Sequence, residues 1–181
     1  MDFRIRHALA SDYGSIKSLI ESSARTLGKK DYSSAQIEAA LRSAFGLDTQ
    51  LIHDQTYFVV ETGSSFAGCG GWSFRETLFG SDAEKNRCAT RINPASGAAK
   101  IRAFFVSPEY SRMGIGSMIL DRCELDAFNA GFRKLELMAT LPGIRLYEKR
   151  GFIAGKPIQY PLDDQLTIEF IPMYKDLPAT E

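Results

Sequence analysis

The chain has 181 residues, of which 44% are hydrophobic and 24% are charged, and this is the composition of an ordinary globular domain with its own core. Its 22 basic residues balance its 22 acidic residues, which excludes a strongly basic or strongly acidic protein. We therefore expect neither a nucleic acid nor an anionic membrane as the main partner. The length predicts a single domain that spans residues 1–181.

The cysteines and the N-terminal residues indicate the cellular compartment in which the protein is expected. The three cysteines are odd in number and lack metal-ligand spacing, so we predict no disulfide framework and no metal site. The opening segment MDFRIRHALA lacks the apolar core of a signal peptide, and no apolar run in the chain is long enough to span a bilayer. The sequence therefore predicts a cytoplasmic protein.

The N-terminal half predicts a strand, two helices and a hairpin. Alternating polarity predicts a half-buried strand over 2–7, and apolar stripes predict a helix that ends near Gly28. A second helix is expected from Ser33 or Ser34 to near Gly46. The segments 56–61 and 65–74 are typical of two strands joined by a tight turn.

The returning strand of that hairpin and the segment after it are unusual. Three glycines, Gly68, Gly70 and Gly71, weaken the strand and predict a bulge or a close approach of two backbones. The following segment Leu78–Ala99 is polar and has no clear period, so we predict a long loop there. Loops of this length are uncommon inside a compact domain unless they are functional or mobile.

A central strand and a glycine-containing turn form the most informative stretch. The β-branched and aromatic run Ile101–Val106 predicts a strand, which Pro108 ends. Gly114 and Gly116 follow and lead into a helical pattern. Glycines let a backbone approach a ligand closely, and the first N–H groups of a helix have no partner within the helix. The turn is therefore suited to a phosphate or a pyrophosphate.

The C-terminal third completes the predicted sheet. An apolar stripe predicts a helix that Gly131 ends, followed by a strand over Lys134–Thr140 and a helix over Leu141–Arg150. This crossover requires the central strand and the strand 134–140 to be parallel or nearly so. The segments 152–158 and 166–174 predict a final antiparallel pair. The expected fold class is α/β (α+β mixed sheet), with helices on both faces of the sheet.

Two motifs in this region carry a resemblance to a known family. The first is V-x-P-x-x-x-x-x-G-x-G, beginning at Val106, and the second is L-Y-E-K-x-G-F, beginning at Leu146. Together they resemble the GNAT superfamily of N-acetyltransferases, which use acetyl-CoA. The resemblance implies a GNAT-like acyl-CoA N-acyltransferase fold and direct attack on acetyl-CoA by a small-molecule or peptide amine in a ternary complex. Dimers are common in the family, so a homodimer is one expected state.

The resemblance also implies a set of cofactor-binding residues. The pyrophosphate is expected on the turn formed by Arg112, Met113, Gly114, Ile115, Gly116 and Ser117. The pantetheine arm is expected along Phe104, Phe105 and Val106. Ser111 stands where a glutamine or arginine is usual, which leaves the phosphates to the backbone and to Arg112. Thr140 stands where an asparagine commonly contacts the cofactor, and its hydroxyl is expected to supply a shorter contact.

Catalytic roles are implied for one tyrosine and left open for the base. Tyr147 is expected near the sulfur of CoA, where its phenol is the general acid for the leaving thiolate. The general base is Glu76, His53, Asp82 or a chain of waters, because the central strand itself carries no carboxylate. The loop 78–99 and the chain between Thr26 and Tyr32 are expected to border the acceptor.

Three other functions are weighed against this one. A mononucleotide P-loop needs a lysine directly after Gly116, where Ser117 stands. A dinucleotide fingerprint needs a glycine or alanine at the position of Ile119. A non-catalytic acyl-CoA-binding or regulatory module would keep both glycines but has no need of Tyr147, so an enzyme is preferred.

Overall fold

A computed structural model of the chain describes residues 2–78, 80–83 and 88–178. These residues build one eight-stranded mixed sheet in the order β1-β2-β3-β4-β5-β8-β6, with β7 paired to β8 beside β6. The strands are β1 Arg4–His7, β2 Tyr57–Thr62, β3 Ser65–Ser73, β4 Ala99–Val106, β5 Lys134–Thr140, β6 Ile153–Ala154, β7 Ile158–Pro161 and β8 Thr167–Asp176. Among these described strands only the β4–β5 pair is parallel, as the crossover between them predicts.

Five α-helices cover the two faces of this sheet. They are α1 Tyr13–Leu27, α2 Ser34–Leu41, α3 Thr49–His53, α4 Ile115–Asn129 and α5 Ile144–Lys149. Helices α4 and α5 pack on one face, in a core that includes Ile119 and Tyr147. Helices α1 and α3 bury Ile16 and Leu51 against the opposite face, and α2 extends that layer over β8. The predicted mixed sheet with helices on both faces is confirmed.

Several element boundaries differ from the sequence prediction. The second helix begins after Ser33, whose hydroxyl accepts a hydrogen bond from the Gln36 N–H, but it ends at Leu41 and a separate five-residue helix α3 follows. The predicted helix 141–150 is a 3₁₀ turn over Leu141–Gly143 followed by the short α5. The predicted strand 152–158 is two short strands, and both of them pair with β8.

A β-bulge interrupts the β3–β4 ladder in the middle of the sheet. Cys69 pairs with Phe105 and Gly71 pairs with Arg102, so two residues of β4 oppose one residue of β3. Ala103, one of the two, has a φ of 54°, which is unusual for a residue with a side chain. The Tyr57 hydroxyl donates a hydrogen bond of 2.8 Å to the Ala103 carbonyl and thereby holds this conformation.

Two of the three glycines in β3 make room for the bulge. A Cβ atom on Gly70 would lie 2.6 Å from Cδ2 of the Phe104 ring. A Cβ atom on Gly71 would lie against the Thr56 carbonyl oxygen and 3.0 Å from the Tyr57 Cα. The predicted bulge and the predicted close backbone approach are therefore both present.

Replacing Gly71 with alanine should destabilise the fold. The new methyl group meets backbone atoms of β2, which cannot rotate away, so we expect Gly71→Ala to lower the free energy of unfolding by about 3 kcal/mol. Urea unfolding followed by circular dichroism measures this change. Gly14→Ala on helix α1 is the control, because nothing lies within 4 Å of its Cβ position and alanine favours the helix. Equal stability of the two variants would contradict the crowding argument.

Strands β4 and β5 separate soon after they meet. Their parallel ladder contains only the pairs Ala99–Leu135 and Lys100–Glu136. Beyond Lys100 the two strands have no register, although β4 continues to Val106 and β5 to Thr140. The β5-facing backbone edge of residues 101–106 is therefore left without a strand partner.

Candidate active site

Two cavities meet where β4 and β5 separate. The larger, here called the glycine-loop groove, has a volume of about 400 Å³ and runs from the start of α4 past α5 to the end of α1. The smaller, here called the inner pocket, has a volume of about 70 Å³ and lies towards the loop after β3. The two cavities share five lining residues, namely Phe45, Phe104, Phe105, Thr140 and Tyr147.

The glycine loop forms one end of the groove. Arg112 and Gly114 adopt φ values of 66° and 85°, and the chain enters α4 at Ile115 directly afterwards. The left-handed conformation explains the glycine at position 114, because a Cβ atom there would meet nothing within 4 Å. The helix starts two residues earlier than predicted, so its first N–H groups, those of Ile115, Gly116 and Ser117, border the groove.

Gly116 brings the two helices of this face close together at the groove. A Cβ atom at this position would lie 2.8 Å from Cδ2 of Leu146 on α5. The first turn of α4 therefore lies directly beside α5. Among the residues implied for the cofactor, Met113 alone lies outside the lining of the groove, and 49% of its surface is exposed.

Tyr147 stands at the junction of the two cavities. It is 7% exposed, and its ring packs edge-on against Phe104 at 6.2 Å and Phe152 at 5.7 Å between centroids. Burial raises the pKa of Tyr147, and the nearby Cys123 thiol adds to that shift. Within the described part of the chain the hydroxyl makes no hydrogen bond. A protonated phenol with no structural partner is thus placed between groove and pocket.

Comparison with known proteins now identifies the family. The model of the acetyltransferase (GNAT) family matches residues 20–152, which is more than half of the chain. The chain belongs to the GNAT acetyltransferase family. It is accordingly an acetyl-CoA-dependent acyltransferase, as the two motifs predict. No curated protein matches the sequence significantly.

Solved structures share the fold of this GNAT acetyltransferase. A GCN5-related N-acetyltransferase from Rhodopseudomonas palustris is 17% identical with a TM-score of 0.70, and the match covers 96% of this chain and 95% of that chain. The PaiA N-acetyltransferase from Thermoplasma acidophilum, solved with coenzyme A, is 17% identical with a TM-score of 0.65, covering 97% and 99%. An N-acetyltransferase from Staphylococcus aureus is 17% identical with a TM-score of 0.64, covering 98% and 100%.

The inner pocket of the GNAT domain is bounded by a buried ion pair. Arg102 of β4 lies 2.7 Å from the Asp48 carboxylate, and these side chains are 2% and 0% exposed. The same guanidinium donates to the Gly80 carbonyl at 2.8 Å. This arrangement ties the strand before the bulge to the chain preceding α3 and to the loop after β3. Part of the predicted loop Leu78–Ala99 therefore borders the pocket, although residues 79 and 84–87 lie outside the described structure.

The candidate bases lie away from Tyr147. Glu76 is exposed, and its backbone N–H donates to the Thr90 carbonyl at 3.0 Å. His53 and Asp82 line a separate cavity of about 530 Å³, which shares only Arg102 with the inner pocket. Of the described residues that line the groove and the inner pocket, none is an aspartate, a glutamate or a histidine.

Sequence analysis of this GNAT domain missed three groove residues. Tyr32 accepts a hydrogen bond from the Leu141 N–H and donates one to the Glu169 carbonyl, both at 2.8 Å, and burial raises its pKa to about 12. Through these two hydrogen bonds, Tyr32 attaches the segment that follows α1 to the end of β5 and to β8. Arg145 and Lys149 line the groove from α5. Arg145 directly precedes the second motif and Lys149 is its lysine, and this spacing of four residues is a signal that could have found them.

Two further findings concern the described residues alone. None of their helices is long and apolar enough to cross a membrane. No cluster of at least three histidine, cysteine, aspartate or glutamate side chains is arranged among them to hold a metal ion.

Proposed function

We propose that the chain transfers an acetyl group from acetyl-CoA to the primary amine of an acceptor, by direct attack in a ternary complex. The observation that carries this proposal is the position of Tyr147, which lines the glycine-loop groove and the inner pocket at once. A donor in the groove and an amine in the pocket would meet beside its hydroxyl. We also propose that residues 1–181 act as one domain.

The groove has the features that acetyl-CoA requires. The free N–H groups at the start of α4 suit a pyrophosphate, and Arg112 adds a positive charge beside them. Hydrogen-bonding backbone along 101–106 without a strand partner suits the amides of a pantetheine arm. Phe104, Phe105 and Val106 would bind through this edge, while their side chains also pack in the core. Thr140 would add a hydroxyl contact from β5.

In the proposed reaction acetyl-CoA supplies the reactive group, and the protein supplies the groups that stabilise charge and donate a proton. Acetyl-CoA supplies an activated acetyl group as a thioester. A backbone N–H from the open edge of β4 would stabilise the negative charge that develops on the carbonyl oxygen. Tyr147 would hydrogen-bond the departing thiolate and pass it a proton. Because burial raises the pKa of the phenol above the ~8.5 of the thiol, the tyrosinate would at once take back a proton from the water that accepts the one lost by the amine.

The proton that the amine loses has a different route. No described carboxylate or imidazole lines the groove or the inner pocket, which favours a chain of waters over Glu76, His53 or Asp82 as the proton acceptor.

The size of the inner pocket limits what enters it. Its volume of about 70 Å³ is below the roughly 150 Å³ of a cavity that holds benzene. The pocket would therefore admit the amine-bearing end of a small molecule or peptide, while the rest of the acceptor stays outside.

The alternative is a module that binds an acyl-CoA without catalysis. Such a module would need the groove but not a phenol at its inner end. Tyr147 makes no hydrogen bond to any described residue, so its hydroxyl adds little to the fold. A hydroxyl without a structural task at the junction of the groove and the inner pocket favours the enzyme.

Thermal unfolding with acetyl-CoA tests the donor. At a concentration of about 100 times Kd, binding adds about 2.7 kcal/mol to the free energy of unfolding. For a chain of this size the melting temperature should rise by about 5–11 °C. ATP and NAD at the same concentration are the controls. A rise with ATP or NAD but none with acetyl-CoA would contradict the proposal.

Release of free thiol then tests catalysis. A set of primary amines, from small amines to peptides with a free N-terminus, is incubated with acetyl-CoA and the protein. We expect at least one amine to release thiol faster than the amine-free control does. Tight binding of acetyl-CoA without amine-dependent release across the set would favour the non-catalytic module.

A further inference from the structure

Helix α5 carries two cations that no described residue pairs with. Arg145 and Lys149 are exposed and line the glycine-loop groove. Neither makes an ion pair or a hydrogen bond with any described residue. Arg150, the neighbour of Lys149, instead contacts the Asp121 carboxylate on α4. The cations that face the groove are therefore available to a ligand, while the one beside them is neutralised.

The charge around the groove is strongly one-sided. Its described lining contains three cations, Arg112, Arg145 and Lys149, and no carboxylate. The whole chain has a formal net charge of zero, so this excess is local. A concave surface with one sign of charge concentrates ligands of the opposite sign. The groove as a whole therefore favours a ligand with several negative charges.

The three cations form two separate groups. Arg112 belongs to the glycine loop, beside the free N–H groups of α4. Arg145 and Lys149 are four residues apart on α5, so they project from one side of that helix. Leu146, which lies against Gly116, holds α5 alongside the first turn of α4. The second pair thus lies next to the predicted pyrophosphate site without being part of it.

We infer that Arg145 and Lys149 form a second phosphate subsite, which binds the 3′-phosphate of coenzyme A. The inference rests on the proposed function, because it assumes that the groove holds acetyl-CoA. Coenzyme A carries a pyrophosphate and, on the ribose, a separate phosphomonoester. The guanidinium offers a fork of donors to phosphate oxygens and the ammonium offers a mobile point charge, a combination suited to a dianionic monoester. The subsite makes the protein selective for the 3′-phosphorylated donor.

The test is a comparison of coenzyme A with 3′-dephospho-coenzyme A by isothermal titration calorimetry at low ionic strength. The wild-type protein should bind coenzyme A about tenfold more tightly, because only that ligand presents the monoester to two unpaired cations. In the double variant Arg145→Gln/Lys149→Gln this preference should fall to about twofold or less. Affinity for 3′-dephospho-coenzyme A should stay within about twofold of wild type.

A matched control removes the same charge elsewhere. Lys17→Gln/Lys134→Gln also deletes two exposed cations, neither of which lines the groove. This variant should keep the wild-type preference, and the wild-type preference should weaken as salt is added. Equal affinity of the wild-type protein for the two ligands would overturn the inference. So would a double variant that loses affinity for both ligands by the same factor.

The same titration separates this inference from the proposed function. If the wild-type protein binds neither ligand, the groove is not a coenzyme A site and both proposals fail. If it binds both ligands equally well, the donor assignment stands and only the role of Arg145 and Lys149 is lost. Melting temperatures of the variants show that each is folded before it is titrated.

Discussion

Replacing Tyr147 with phenylalanine should lower the turnover of the acetyl transfer by about 100-fold. The substitution removes only the hydroxyl, which no described residue hydrogen-bonds. The ring keeps its edge-on contacts with Phe104 and Phe152, so the fold and the shape of the groove are retained. In the proposed mechanism, what is lost is the proton for the departing thiolate. The rate of thiol release under single-turnover conditions measures this loss directly.

Two controls distinguish the loss of a proton donor at Tyr147 from a change in side-chain packing. Tyr174→Phe removes a hydroxyl from an exposed tyrosine on β8 and should leave turnover unchanged. A donor thioester with a more acidic thiol needs less help from a general acid, so it should narrow the gap between wild type and Tyr147→Phe. Unchanged turnover of Tyr147→Phe, with the chemical step shown to limit the rate, would remove Tyr147 from the mechanism.

Replacing Asp48 with asparagine should have the largest effect on stability. The Asp48 and Arg102 side chains are almost fully buried, and the substitution leaves the Arg102 charge without its carboxylate. Breaking a buried pair from one side costs about 3–5 kcal/mol. Asparagine can still cap α3, where the Asp48 carboxylate accepts from the Gln50 N–H at 3.2 Å, so the loss of charge is isolated. The midpoint of urea unfolding measures the cost.

An exposed ion pair supplies the comparison. Arg25 and Glu38 lie 2.7 Å apart, but their side chains are 49% and 47% exposed. Water already screens this pair, so Glu38→Gln should leave the urea midpoint nearly unchanged. If both variants shifted the midpoint equally, burial would not be what makes the Asp48–Arg102 pair important.

The segment from Ile101 to Phe152 was predictable because its signals are local. A strand, a proline, glycines at fixed spacing and an apolar stripe each act over a few residues. The region between Gly46 and Thr56 shows the opposite case, where α3 was missed since a helix of five residues has too few turns for a stripe. Its N-cap, Asp48, is recognisable only once its buried partner Arg102 is known.

The β3–β4 bulge and the general base are two features that the sequence could not predict in full. Glycines in β3 predicted an irregularity, but they could not place a left-handed conformation at Ala103, which depends on the hydroxyl of Tyr57, distant in the chain. Glu76 stands at the end of the predicted strand 65–74, which suggested a base at that position. The position of its carboxylate depends instead on the pairing of 75 with 91, a contact between distant segments, and it lies outside the groove and the inner pocket.

Within the described residues, the sheet consists of two parts, here called leaves, that are joined only by the two residue pairs between β4 and β5. One leaf contains β1–β4 and the other contains β5–β8, and each is built from a continuous stretch of the chain. The chain crosses from the first leaf to the second once, through α4. The groove and the inner pocket take residues from both leaves, so neither leaf can form them alone. If the groove holds the donor as proposed, the donor site forms only once β5 and the segment after it have packed against the first leaf.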